Sequence, residues 1–157
     1  KVVGYRNGEA VCKHMTVTPG PAVRLEFDRL GAGCGQRLSA QADVDCGEMA
    51  AGRQDGKTSY IRVQEGYESL LTVRAVDGEG HPCFRESTRV RFRVEGPAEI
   101  LAVDNGDITG NEPYGEPSIH LYRGTASVRI AFTGESGRVM VHADGEGIFS
   151  GQCLIVL

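Results

Sequence analysis

The sequence has no tryptophan, only three lysines (Lys1, Lys13 and Lys57) and no Cys-x-x-Cys pair. With 17 basic and 21 acidic residues its net charge is −4. That balance offers no basic face for nucleic acid or for an anionic membrane surface, so neither is expected as a partner. No apolar run approaches the roughly 18 residues of a transmembrane helix, and no signal-peptide pattern opens the chain. Arginine supplies most of the positive charge, which reads as a compositional bias and carries no functional message.

Five cysteines, Cys12, Cys34, Cys46, Cys83 and Cys153, stand at irregular spacing. An odd number excludes a fully paired disulfide framework. Buried free thiols in a reducing compartment are therefore expected, and with them a cytoplasmic location; a periplasmic or secreted one stays open. A single bridge, for example Cys34–Cys46, is compatible with the count. Cys12 and His14 share one strand face by parity, but two ligands without a second close pair do not make a zinc site. The remaining histidines, His81, His120 and His142, are scattered and expected at the surface or at edges.

No segment combines a helical period with caps. What the chain does have is period-2 alternation broken by glycine-rich turns. Val90, Phe92 and Val94 alternate with Arg91, Arg93 and Glu95, giving a strand with one buried face and an arginine-lined outer face. Gly96-Pro97 breaks it. Ile100 to Val103 resumes as a short apolar strand that stops in the turn Asp104-Asn105-Gly106-Asp107.

Upstream, Val2 to Arg6 leads into Asn7-Gly8, a strong hairpin signal, and Glu9 to Val17 returns. Thr18-Pro19-Gly20-Pro21 is a stiff break and marks a domain boundary, with residues 1–20 on one side and 21–157 on the other. Strands are then predicted at Val23–Asp28, Leu38–Cys46, Tyr60–Val63 and from Leu70 to Ala75. Ile119–Tyr122, Ala126–Phe132, Val139–Ala143 and Gln152–Leu157 follow. Residues 29–36, 47–58 and 108–118 read as loops, and Asp-Gly-Glu-Gly recurs as a turn at 77–80 and 144–147. Many short strands with such turns predict an all-β fold, an antiparallel immunoglobulin-like β-sandwich preceded by a β-hairpin. The tryptophan between paired cysteines that marks true immunoglobulin domains is absent, so the likeness is architectural. Because the chain opens inside a strand, it is expected to be a piece of a larger protein.

Asp104, Asn105 and Asp107 crowd one turn, with Glu112 and Tyr114 close behind. Oxygen ligands at that density suit Ca²⁺, but Asp and Asn equally bond their own turn backbone, and the turn reading is preferred. No metal and no cofactor is expected. Asp43, Asp45 and Glu48 have a faint likeness to a calcium loop without its ligand series.

The run VEGPAEILAVDNGD, followed by GNEPY, LYRGTASVRI and GRVMVHADGEGI, resembles the C-terminal β-sandwich region of glycoside hydrolase family 2 enzymes of the β-galactosidase type. The likeness covers residues 68–149. A weaker one over residues 2–28 is similar to the end of a preceding immunoglobulin-like domain and its linker, and residues 29–66 do not align with the pattern. In that family the two catalytic glutamates belong to a separate (β/α)-barrel, and nothing in this chain resembles it. The resemblance therefore implies a non-catalytic accessory domain that supports the barrel or a subunit interface. Its implied partners are the catalytic barrel and the other β domains of the same chain. Asp104, Asn105, Asp107, Glu112 and Tyr114 become the candidate interface or sugar-proximal residues. Two other classes compete: a carbohydrate-binding module using Tyr60, Tyr67, Tyr114 and Tyr122, and an adhesin-type structural repeat. The 6% aromatic content speaks against the first.

Overall fold

A computed structural model of the chain describes residues 2–28, 58–62, 68–133 and 137–156, with only the backbone course given at 58–62. Among the described residues there are eleven strands and no helix. They are β1 (Val2–Arg6), β2 (Glu9–His14), β3 (Arg24–Phe27), β4 (Thr58–Arg62), β5 (Glu68–Val76), β6 (Arg89–Glu95), β7 (Ala98–Asp104), β8 (Ser118–His120), β9 (Thr125–Phe132), β10 (Arg138–Gly145) and β11 (Ile148–Val156).

Among the described residues β1 and β2 pair only with each other, while the others form one path, β7-β9-β5-β3-β11-β10-β6-β8, with β4 on the side of β11. The path is joined between β3 and β11 by a single parallel bridge, Phe149 to Arg24. On one side of that seam lie β7, β9, β5 and β3; on the other lie β11, β10, β6 and β8. Their inward residues meet in one core, so the fold is a β-sandwich. Leu71, Val73 and Ala75 of β5 and Val128 and Ile130 of β9 face Val90 and Phe92 of β6 and Val139 and Val141 of β10. Every one of these is a position that alternation assigns to a buried face. Phe92 heads the fully buried side chains by volume.

Several expectations are corrected. The sheet is not purely antiparallel, because β11 runs parallel to both β3 and β4. The returning strand of the hairpin ends at His14, short of Val17. The last strand begins at Ile148, not Gln152, and β10 runs on through Asp144 and Gly145, leaving only Glu146-Gly147 as the turn. Cys12 is exposed, whereas Cys83 and Cys153 are buried free thiols as expected, and burial pushes the Cys153 thiol up to about 12. The strand predicted at 38–46, the loop at 29–36, the loop at 47–58 up to residue 57, and Cys34 and Cys46 lie outside the described residues; Thr58, predicted in that loop, opens β4 instead.

The hairpin turns as its sequence demands. Asn7 and Gly8 both take positive φ, 53° and 82°, the pair required by a two-residue type I′ turn whose twist matches the strands. Yet all six residues of β2 are exposed, and Val2, Tyr5 and Val11 present apolar side chains to solvent. An isolated two-stranded hairpin is marginal in water unless another surface covers it.

The outer face of β6 is solvated. Arg89, Arg91 and Arg93 are exposed; Arg93 pairs with Asp144 on β10 at 2.9 Å, and Arg89 donates to Ser118 on β8 at 3.1 Å. His142, expected at the surface, is half-buried in the middle of β10. Its Nε2 lies 3.4 Å from Glu95 Oε1, within ion-pair distance but not aligned for a hydrogen bond.

Candidate functional site

The predicted site residues all lie on the segment from Asp104, the last residue of β7, to Pro117, just before β8. Why the chain turns there is explicit in the side chains. Asp104 Oδ1 accepts the N–H of Gly106 at 3.0 Å, and Asn105 Oδ1 accepts that of Asp107 at 2.9 Å. Asp107 Oδ1 accepts the N–H of Thr109 at 3.0 Å and its hydroxyl at 2.7 Å. Each Asp or Asn bonds the backbone two residues on, so three overlapping Asx turns wind the segment in place of a ladder. The Thr109 hydroxyl and N–H together hold the Asp107 carboxyl below its ordinary value.

The loop is then tied down at its far side. Asn105 Nδ2 donates to the His120 carbonyl at 2.9 Å. Glu112 accepts the His120 N–H at 3.1 Å, and its Oε1 lies 2.8 Å from His120 Nδ1. Partial burial pulls the Glu112 carboxyl upward. The bonds from His120, with the charges of His120 and Arg89, outweigh this and leave it below its ordinary value. Backbone bonds complete the frame: Val103 N–H donates to the Tyr114 carbonyl at 2.9 Å and Phe92 N–H to that of Pro117 at 2.7 Å. The loop is thus fastened to β7, β8 and the core strand β6.

What these groups can do follows from what already holds them. A general acid for glycoside cleavage needs a raised carboxyl pKa, and Asp107 and Glu112 are shifted the other way. Asp104, Asn105 and Asp107 are engaged by turn N–H groups, and among the described residues no group of three or more His, Cys, Asp or Glu is placed to hold a metal ion. The structure brings the five predicted residues onto one loop but gives the four polar ones a scaffolding task. Tyr114 projects outward, 58% exposed.

The residue that the polar pattern conceals is Ile108. It sits at the turn between Asp107 and Thr109 and is 98% exposed, a large aliphatic side chain held in solvent by a rigid frame. A lone isoleucine inside a run of turn formers is the signal that could have marked it. His120, which fastens the loop, could be found only once the pairing of β8 with β6 was known.

Comparison with known proteins agrees with this architecture. Residues 48–153, about two thirds of the chain, match the family model described as Glycoside hydrolase family 2 C-terminal domain 5. No curated protein matches. Among solved structures, a beta-glycosidase from Bacteroides vulgatus superposes with a TM-score of 0.71 at 19% identity, covering 99% of this chain and 17% of that one. A glycosyl hydrolase family 2 member from Bacteroides cellulosilyticus gives 0.68 at 20%, covering 98% and 18%. A beta-glucuronidase from Parabacteroides merdae gives 0.56 at 14%, covering 90% and 13%. At such identities these likenesses speak for the fold, and the chain spans less than a fifth of each neighbour's length. By the family match, the chain belongs to glycoside hydrolase family 2, as its C-terminal domain 5.

Proposed function

We propose that this chain is a non-catalytic accessory β-sandwich of a family 2 glycosidase of the β-galactosidase type, docked through its Asp104–Pro117 loop onto the catalytic barrel or a neighbouring subunit. Residues 21–157 form the accessory domain, and residues 1–20 are the terminal hairpin of a preceding immunoglobulin-like domain of the same polypeptide. The protein works in the cytoplasm on carbohydrate.

The observation that carries this reading is the exposure of Ile108 on a loop with almost no freedom to fold it away. Ordering a loop on binding costs conformational entropy, and a frame of Asx turns has met that cost in advance. A second support is the hairpin, whose Val2, Tyr5 and Val11 stay exposed and which, among the described residues, pairs with no strand of the sandwich.

Replacing Ile108 by aspartate separates domain stability from docking. In the isolated chain Ile108→Asp should leave unfolding within about 0.5 kcal/mol of wild type, as expected for a surface change. In the barrel-containing chain it should cost about 2 kcal/mol or more of interface stability, since a carboxylate would be buried against an apolar contact. The readouts are the denaturant midpoint of the short chain, and the melting temperature and glycosidase activity of the long one. Neutrality in both would sink the docking role of the loop.

A further inference from the structure

We propose that Asp77 is the anchor by which the sandwich grips the segment leading in from the hairpin, so that the joint between hairpin and sandwich lies at Met15–Pro19 and Gly20 moves with the sandwich, which shifts the boundary given above back by one residue.

The argument begins with the backbone donors available. In Pro19-Gly20-Pro21 neither proline has an N–H, so Gly20 carries the only one. That N–H donates to Asp77 Oδ2 at 2.9 Å, across 57 residues of sequence. The Cys83 thiol lies 3.5 Å from the Gly20 carbonyl and 3.6 Å from that of His81, so its one hydrogen is shared between the two. Both polar groups of the one residue thus face the 77–83 loop, and the N–H makes the stronger bond. Immediately downstream the ladder takes over, with Val23 N–H donating to the Val76 carbonyl at 2.9 Å. Upstream, Met15, Thr16, Val17 and Thr18 are exposed, and the side-chain contact found there among the described residues is local, Thr16 Oγ1 lying 3.5 Å from His14 Nε2.

Asp77 is more than a turn residue. Its Oδ1 accepts the N–H groups of Glu79 at 3.0 Å and His81 at 2.8 Å, which is all that the Asp-Gly-Glu-Gly turn needs. The second oxygen, Oδ2, is left to reach Gly20, with His81 Nδ1 at 3.3 Å beside it. The backbone of Asp77 is fixed as well: its N–H donates to the His81 carbonyl, and its own carbonyl accepts Gly80 N–H and Arg24 Nη1, both at 3.1 Å. Burying a carboxylate is costly unless it is hydrogen-bonded, and this one is 6% exposed. The Gly20 N–H above all, then those of His81 and Glu79, outweigh that burial and hold its pKa down to about 2, so it is a full acceptor at neutral pH. Two remote pieces of chain, the proline-bounded glycine and the 77–83 loop, fit each other as donor and receptor.

The test is amide hydrogen exchange and ¹⁵N relaxation on the 157-residue chain. In the wild type the Gly20 amide should be protected, and backbone order should rise from Met15–Thr18 to sandwich values at Gly20. Asp77→Asn should speed exchange at Gly20 about tenfold or more, as expected for losing a bond to a charged acceptor. Gly20→Pro deletes the donor without touching the receiving loop, and it carries the test if the Asp77 variant fails to fold. It should shift the onset of order to Val23 while the Glu79 and His81 amides stay protected. Gly20→Ala is the control. Its added Cβ would meet Asp77 at an ordinary 3.8 Å, so it should behave as wild type. The proposal is overturned if order in the wild type already begins only at Val23, or if neither donor nor acceptor removal changes Gly20 and its neighbours.

Discussion

Replacing Phe92 by alanine is expected to cost about 3–5 kcal/mol, against a total stability of about 5–15 kcal/mol for an ordinary domain. Phe92 lies on β6, a strand bonded on both sides, to β10 and to β8. Its ring fills the space between the two faces of the sandwich, where the side chains of β5 and β9 also arrive. Removing it takes away the transfer free energy of a large apolar group and leaves a void that flanking strands, held by their ladders, cannot collapse to fill. Chemical denaturation should show the loss as a lower midpoint with an unchanged slope. Arg91→Ala, one residue away on the opposite face, should stay within about 0.5–1 kcal/mol because that arginine is exposed on a solvated face. If Phe92→Ala and Arg91→Ala were equally mild, the placement of the core would be wrong.

The second large effect is expected at Gly96. This glycine makes the corner between β6 and β7 with φ at 103°, a region that side chains rarely enter. An added Cβ would also stand 2.2 Å from the Arg138 carbonyl oxygen, where β10 begins. Backbone strain of about 1–3 kcal/mol and a clash of similar size act together, so Gly96→Ala should destabilise by about 2–5 kcal/mol. Gly106→Ala isolates the conformational part: φ is 76° there, but nothing lies within 4 Å of the new Cβ, so about 1–2 kcal/mol is expected. Urea or guanidinium unfolding of both variants checks the ordering. A Gly96 variant no worse than the Gly106 one would contradict the close approach of the corner to β10.

The same corner shows how far the sequence could be read. Gly96-Pro97 marked the end of β6 because both residues disfavour a continued ladder, and Val90 and Phe92 marked the inner face because their spacing matches the pleat. Such signals are local, and the structure agrees with them. The start of β11 was hidden for a physical reason. Its inward positions are Gly151, Cys153 and Ile155, and Gly151 has no side chain because the backbone of Leu25 passes 2.8 Å from where its Cβ would be. Close packing at the β3–β11 seam thus erased the alternation that would have announced the strand. The parallel pairing of β11 with β4 joins residues far apart in the chain and leaves no local trace.

At the candidate site the polar residues were legible as turn chemistry, and their bonds bear that reading out. Ile108 was not, since a single exposed aliphatic has no period to reveal it. Asp77 looked like one more turn aspartate. Its second partner, Gly20, is legible only when the two segments are seen side by side.

The central claim is that this β-sandwich assists a glycosidase without performing the chemistry. The most direct measurement assays the 157-residue chain and the barrel-containing chain side by side on nitrophenyl glycosides, the β-galactoside and the β-glucuronide included. Turnover by the longer chain alone, with release from the β-galactoside, is the predicted result. Turnover by the 157-residue chain itself would contradict the account and return attention to Asp104, Asp107 and Glu112 as reacting groups.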